Sequence, residues 1–267
     1  MTDLAYMPAT EAVARFKART LSPVELMEAV IARAETVEPT INAFAARYYD
    51  EALDKARKAE AKYAKPSGRT RTLEGLPLAV KDDTAILGKL GTAGSLVPAN
   101  HVGGHTNPSV ERLLRAGAIV HARTTCPEFV WHWACYSKAY GVTRNPWNPA
   151  LTCGASSGGS GAAVSANFCT VGVGQEGLAS IRRPSIWNGI AGMRPTAGLV
   201  SRGGVYAGWP SINGSLGPMA RTVTDLARLL DCMVGYDPAD PITSRGVGHV
   251  PNSYAELLDE DSLEGAR

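Results

Sequence analysis

Three short segments carry side chains whose type and setting could do chemistry. The first is Gly154-Ala155-Ser156-Ser157-Gly158-Gly159-Ser160-Gly161, followed at once by the helix-forming Ala162-Ala163-Val164-Ser165-Ala166. Alone, it is either a flexible linker or a turn opening onto a helix N-terminus, whose backbone N–H groups favour anions. It lacks the G-K-[ST] ending of a phosphate-binding loop. The second is Lys81, which closes the apolar run Leu76–Val80 and precedes Asp82-Asp83. A lysine at the end of a buried strand is costly unless it is paired or neutral. A Lys–Asp pair is the plain reading, and a neutral base is the chemical one. In the third, a strand at Thr170–Val173 runs into Gly174-Gln175-Glu176-Gly177-Leu178-Ala179-Ser180-Ile181-Arg182-Arg183-Pro184. A serine at such a turn, preceded by consecutive backbone N–H groups, can be a nucleophile beside its own oxyanion hole. It can also be a helix cap, which for a lone serine is the commoner case. The histidines at 101, 105, 121, 132 and 249 fit no metal-binding spacing, and no G-x-S-x-G elbow occurs. A serine can instead be activated by a neutral lysine.

The elements that must position these residues are legible in outline. Ser22-Pro23-Val24-Glu25 is a capping box with proline at the first helical position, and Leu26, Val30, Ile31 and Ala34 follow at helical spacing. A second helix covers about 48–64, so residues 1–65 read as a helical segment. Residues 65–74 read as an exposed linker. Leu76–Val80 is a buried-strand candidate, 108–116 a helix ending at Gly117, and Ala118–Val120 a strand. A further helix starts at Thr222 and stops at Gly235. This order predicts an α/β domain with a mixed, largely parallel sheet flanked by helices. Residues 75–235 would form the catalytic core of a single domain.

Composition narrows the function classes. Hydrophobic residues make up 45% of the 267 and charged residues 19%, which excludes a disordered or fibrous chain. Lys and Arg number 27 against 25 Asp and Glu, so no nucleic-acid partner is implied. Five cysteines without a C-x-x-C argue against a disulfide framework and a zinc ribbon, and favour reduced thiols in a cytoplasmic protein. Neither a signal peptide nor an 18-residue apolar run is visible, so no membrane association is expected.

Taken together, the order Lys81, Ser156-Ser157-Gly158-Gly159-Ser160, Ser180-Ile181-Arg182 resembles the amidase signature family. The spacings of 75 and 24 residues fit that family's lysine, first serine and nucleophile. Gly75–Asp82, Arg115–Val120, Gly141–Asn148, Gly192–Arg202 and Gly217–Val223 resemble its other segments in the same order. The resemblance implies amide hydrolysis by a Ser-cisSer-Lys triad through an acyl-enzyme, without metal or cofactor. Ser180 would attack the carbonyl. Ser156, carried on a cis peptide, would relay the proton, and neutral Lys81 would be the ultimate base, since burial favours a neutral amine. The N–H groups of Gly177, Leu178, Ala179 and Ser180 would hold the oxyanion. Glu176, Arg182 and Ser157 would support the loop.

The chain departs from the family at several of these positions. Leu178 and Ala179 stand where the family has two glycines, so a working oxyanion hole requires both to adopt the family's backbone conformation. Glu176 replaces an aspartate, Cys153 a proline and Ala155 a glycine. Trp131, Trp133 and Tyr136 crowd a segment that could be an aromatic acyl pocket or simply core, as could Tyr140. The reading is an amidase acting on a small or aryl carboxamide, with a homodimer possible. The alternatives are the A subunit of a glutamine-dependent tRNA amidotransferase and a truncated, non-catalytic remnant. In the family the Leu263-x-Gly265-x-Arg267 segment leads into a further strand. The expectation is therefore an incomplete domain after 267, marginally stable and with little activity alone.

Overall fold

A computed structural model describes residues 3–65, 68–205, 214–259, 261–262 and 264–265. Leu263 and Arg267 of the closing segment lie outside them. Helix α1 (Ala9–Ala18) leads to α2 (Pro23–Ile41), which begins at the predicted capping box. Ser22 Oγ accepts from the N–H of Val24 and Glu25, and the Ser22 N–H donates to the Glu25 carboxylate.

The amino-terminal segment is not wholly helical, as the sequence suggested; it contains strand β1 (Phe44–Arg47). Asn42 ends α2 in the left-handed conformation at φ 58°. The buried Glu38 carboxylate then accepts the N–H groups of Ala43 and Phe44, turning the chain out of the helix and along a sheet edge. Helix α3 (Tyr49–Ala64) follows, as predicted. The 65–74 linker is exposed only in part. Leu73 and Glu74 are buried, the Leu73 N–H donates to Ala116, and the Glu74 carboxylate takes Lys62 and Arg71.

Beyond it come β2 (Pro77–Lys81), α4 (Pro108–Arg115), β3 (Ile119–Thr124), a small hairpin of β4 (Tyr136–Ser137) and β5 (Gly141–Val142), α5 (Gly158–Ser165), β6 (Val171–Glu176), α6 (Arg182–Asn188), β7 (Ala191–Gly192), β8 (Ser215–Ala220) and α7 (Val223–Met233). Thr222 caps α7 by accepting the Asp225 N–H. The main sheet has the order β1-β3-β2-β6-β8-β7. Strands β3, β2 and β6 are mutually parallel at its centre, while β1 and β8 are antiparallel to their neighbours. Since β7 is antiparallel to β8, it runs with the central three. The mixed, largely parallel α/β sheet predicted from sequence is therefore present, with four strands in one direction.

Side-chain alternation along the central strands sorts the core into two layers. Leu78, Val80, Val171 and Val173 pack with α1, α2, α3, α4 and α7, whereas Ala79, Ala122 and Met219 pack with Ala162, Ala163 and Val164 of α5. The Gly/Ser stretch is thus no linker, because residues 158–164 are all buried in α5. A Cβ on Gly159 would meet the Thr125 backbone N and O at 2.5 Å, so only glycine lets α5 lie this close to the end of β3. All five cysteines are free thiols, four of them buried. Among the described residues, no helix is long and apolar enough to cross a membrane.

Candidate active site

Three parallel strands end side by side, and their ends supply the chemistry. Strand β2 is buried along its whole length and delivers Lys81 at its last position. Neighbouring β6 ends at Glu176 and passes into the Gly177–Ser180 turn before α6. Helix α5 brings the serine pair over the sheet from its N-terminus. The peptide bond between Ala155 and Ser156 is cis.

Lys81, fully buried, donates from Nζ to Ser156 Oγ at 2.8 Å and to the Gln175 carbonyl at 3.3 Å, with Gln175 Oε1 at 3.4 Å. Its fourth neighbour is the Asp83 carboxylate, 3.2 Å away and equally buried. Lys81 therefore lies within contact of both a carboxylate and a serine hydroxyl. Ser157 ties the two loops together. Its Oγ donates to the Gln175 carbonyl at 2.9 Å and accepts the Gln175 N–H at 3.1 Å, while its N–H donates to the Ser180 carbonyl at 3.0 Å.

Glu176 anchors the turn. Its carboxylate accepts the N–H groups of Ile181 and Arg182 at 2.9 and 3.0 Å and the Arg182 Nε at 2.7 Å, and Arg194 Nε lies 4.0 Å away. Burial by itself would push this carboxyl up; the hydrogen bonds from Arg182 and Ile181 and the Arg182 charge outweigh it and hold it below the usual range. The extra methylene of Glu176 is thus accommodated. Of the two residues at glycine positions, Ala179 takes a positive φ of 102°, whereas Leu178 is not among the positive-φ residues and is 63% exposed. Among the described residues, the N–H groups of Gly177, Leu178, Ala179 and Ser180 donate to no protein acceptor.

A cleft of about 70 Å³ is lined by Ser156, Ser180, Gly177, Leu178, Gln175, Val130 and Trp131. Of the three aromatic candidates, the fold brings only Trp131 to it. Trp133 stacks instead on Arg183, 4.1 Å from the guanidinium to the ring, and Tyr136 sits on β4. None of the three is core, since each is at least 47% exposed. Tyr140 turns away from the cleft to Asp82 and Thr92. Gln175 and Val130 were not singled out from sequence. Gln175 could have been, because it precedes Glu176 on the strand that leads to the turn. Val130 lies in a short 3-10 turn with φ 59° that no sequence signal marks. Among the described residues, no group of three or more His, Cys, Asp or Glu side chains is placed to hold a metal ion.

The family model named Amidase matches residues 25–262. The chain belongs to the amidase signature family. The A subunit of the glutamyl-tRNA(Gln) amidotransferase of Chloroflexus aurantiacus is 41% identical over 241 residues, 90% of this chain and 49% of its own length. That of Lachnospira eligens is 37% identical over 95% of this chain and 52% of its own length. Among solved structures, the native peptide amidase of Stenotrophomonas maltophilia superposes with a TM-score of 0.90 at 32% identity, covering 97% of this chain and 54% of that one. A bacterial aryl acylamidase of the amidase signature enzymes superposes with a TM-score of 0.82 at 29% identity, covering 89% of this chain and 49% of that one. The amidase-family chain thus spans about half the length of the curated relatives it matches.

Proposed function

We propose that this amidase-family chain carries the nucleophile, relay and base of a carboxamide hydrolase in residues 75–235. The observation that carries the reading is the 2.8 Å contact between Lys81 Nζ and Ser156 Oγ, with Ser156 and Ser180 lining one cleft. In the proposed reaction Ser180 Oγ attacks the amide carbonyl. Its proton passes to Ser156 as the Ser156 proton passes to Lys81. The N–H groups of the Gly177–Ser180 turn stabilise the oxyanion. Collapse expels ammonia or an amine as the proton returns from Lys81 through Ser156 to the leaving nitrogen, and water, activated through the same pair, then releases the acid from Ser180. Trp131 forms one wall of the acyl site and favours a small or aryl acyl group.

A second reading, the A subunit of a glutamine-dependent amidotransferase, is supported by the 41% identity to a protein of that name. The replaced glycines at Leu178 and Ala179 and the Glu176 substitution weigh against it. Fluorophosphonate labelling tests the shared chemistry: Ser180 is expected to take the label and Ser180→Ala to lose it. Labelling of another serine, or undiminished labelling of Ser180→Ala, would remove the assignment. Ammonia release from a panel of amides by the chain alone supports the first reading. Release from glutamine only with added partner proteins supports the second.

A further inference from the structure

We propose that Asp83 governs the proton on Lys81, holding the resting lysine as an ammonium and taking up its proton when the serines must be deprotonated. The inference rests on reading Lys81 as the base, and it adds Asp83 as a positioning residue that acts through it. The shell around Lys81 Nζ comprises Ser156 Oγ, the Gln175 carbonyl, Gln175 Oε1 and Asp83 Oδ2, all within 3.4 Å. Nζ spends the three donors of an ammonium on Ser156 Oγ, the Gln175 carbonyl and Gln175 Oε1, while Asp83 Oδ2 is paired to it by charge and accepts no hydrogen bond among the described residues. A neutral amine has a lone pair to fill, and Ser156 Oγ–H is the one neighbour in this shell able to donate to it. The resting geometry is therefore that of a paired cation.

Asp83 depends on that cation more than its neighbour does. Asp82 Oδ2 already accepts from the Thr92 N–H, the Thr92 hydroxyl and the Tyr140 hydroxyl. Among the described residues, Asp83 accepts a hydrogen bond from the Thr84 hydroxyl alone, and its Oδ2 faces Lys81. Both members of the pair are fully buried, so each charge relies on the other for compensation. The other charged or titratable groups facing the pair are Asp82 on the same turn, Arg123 of β3 and Cys126 beyond it, with Lys89, His101 and His105 lining the cavity that Asp83 borders. From β6 comes the neutral Gln175 and from α5 the serines. A proton moving from Lys81 Nζ to Asp83 Oδ2 converts ammonium and carboxylate into amine and acid, with no net charge created in the buried site. The amine then accepts the Ser156 proton as Ser156 accepts that of Ser180. Asp83 also lines a cavity of about 140 Å³ apart from the serine cleft, on the side where Thr84, Ile86 and Lys89 lie.

The test follows Lys81 directly, by NMR of the protein carrying [13Cε]lysine, with the Lys81 resonance identified by its loss in Lys81→Arg. In Asp83→Asn the Lys81 resonance is expected to titrate at a pH lower by about one unit or more, a roughly tenfold or greater loss of proton affinity. Fluorophosphonate labelling of Ser180 should reach half its maximal rate at a correspondingly lower pH, and Asp83→Glu should restore the original profile. An unchanged midpoint in Asp83→Asn, with labelling merely slower at every pH, would overturn the proposal. If Asp83→Asn does not fold, the wild-type protein decides: the Asp83 carboxyl carbon and Lys81 Cε must titrate together, and separate midpoints refute the coupling. Absence of Ser180 labelling in the wild type at any pH removes the hydrolase reading instead, while the NMR titration still tests Asp83.

Discussion

Ala179 carries the sharpest local conflict between residue type and backbone. Its φ of 102° belongs to the region glycine occupies freely and other residues enter at a cost of about 1–3 kcal/mol. The turn is held there from both sides. Glu176 fixes the N–H groups of Ile181 and Arg182, and the Ser180 carbonyl is taken by Ser157. Relieving the strain should therefore leave the turn in place. Ala179→Gly is expected to stabilise the folded chain by about 1 kcal/mol, after the greater freedom of glycine in the unfolded chain is offset. Urea unfolding of the two proteins measures it, and a lower midpoint for Ala179→Gly would show that the alanine is not strained.

At the level of elements, the site depends on how closely α5 approaches β3 and β6. Residues 158–163 are glycine, serine and alanine, and a Cβ on Gly158 or Gly159 would meet its neighbours at 2.6 or 2.4 Å. Ser160 spends its hydroxyl on Thr124 and on the Val173 carbonyl, fastening the helix to both strands. Gly159→Ala places a methyl group against the backbone and hydroxyl of Thr125. The helix must then shift, carrying Ser156 and Ser157 with it. The expected outcome is a loss of about 1–3 kcal/mol of stability and slower fluorophosphonate labelling of Ser180. Thermal unfolding and labelling of the same sample check both. Unchanged labelling would mean that α5 can retreat without disturbing the serine pair.

Across the whole molecule, one buried histidine ties stability to pH. His121 lies within β3, its ring nitrogens facing the Leu78 and Phe168 carbonyls at 3.1 and 2.7 Å. Burial pulls it down from 6.5 to about 4, against the opposing pull of those two carbonyls. Between these values the unfolded chain binds a proton that the folded chain refuses. The stabilising difference is therefore complete above about pH 6.5 and is lost as pH falls towards 4, to the extent of roughly 3 kcal/mol. His121→Gln removes this titration and should flatten the acid limb, as measured by urea unfolding at pH 7 and pH 5. An equally steep limb in the variant would assign the acid sensitivity elsewhere. The same scale exposes an apolar face around α6, where Ile186, Trp187 and Trp147 are at least 44% exposed and Arg183 lies against the rings of Trp133 and Trp187.

What the sequence alone determined was local or carried by resemblance. The capping box at Ser22, the cap at Thr222, the apolar run ending in Lys81 and the small residues of α5 are decided by neighbours within a few positions, so their patterns are readable along the chain. The order and spacing of Lys81, Ser156 and Ser180 likewise sufficed to point to the family. Strand β1 escaped because its strand character comes from pairing with β3 and from the buried Glu38 carboxylate, not from its own four residues. The aromatic candidates were separated only by the fold: Trp131 faces the cleft, while Trp133, two positions on, is held by Arg183 from another element. The distance between Lys81 and Ser156 also belongs to the tertiary structure. It exists because β2 lies between β3 and β6 and because a helix of glycine and alanine can press against all three. Whether Lys81 meets a serine, a carboxylate or both is decided by which strand ends adjoin in space, and no local pattern records that.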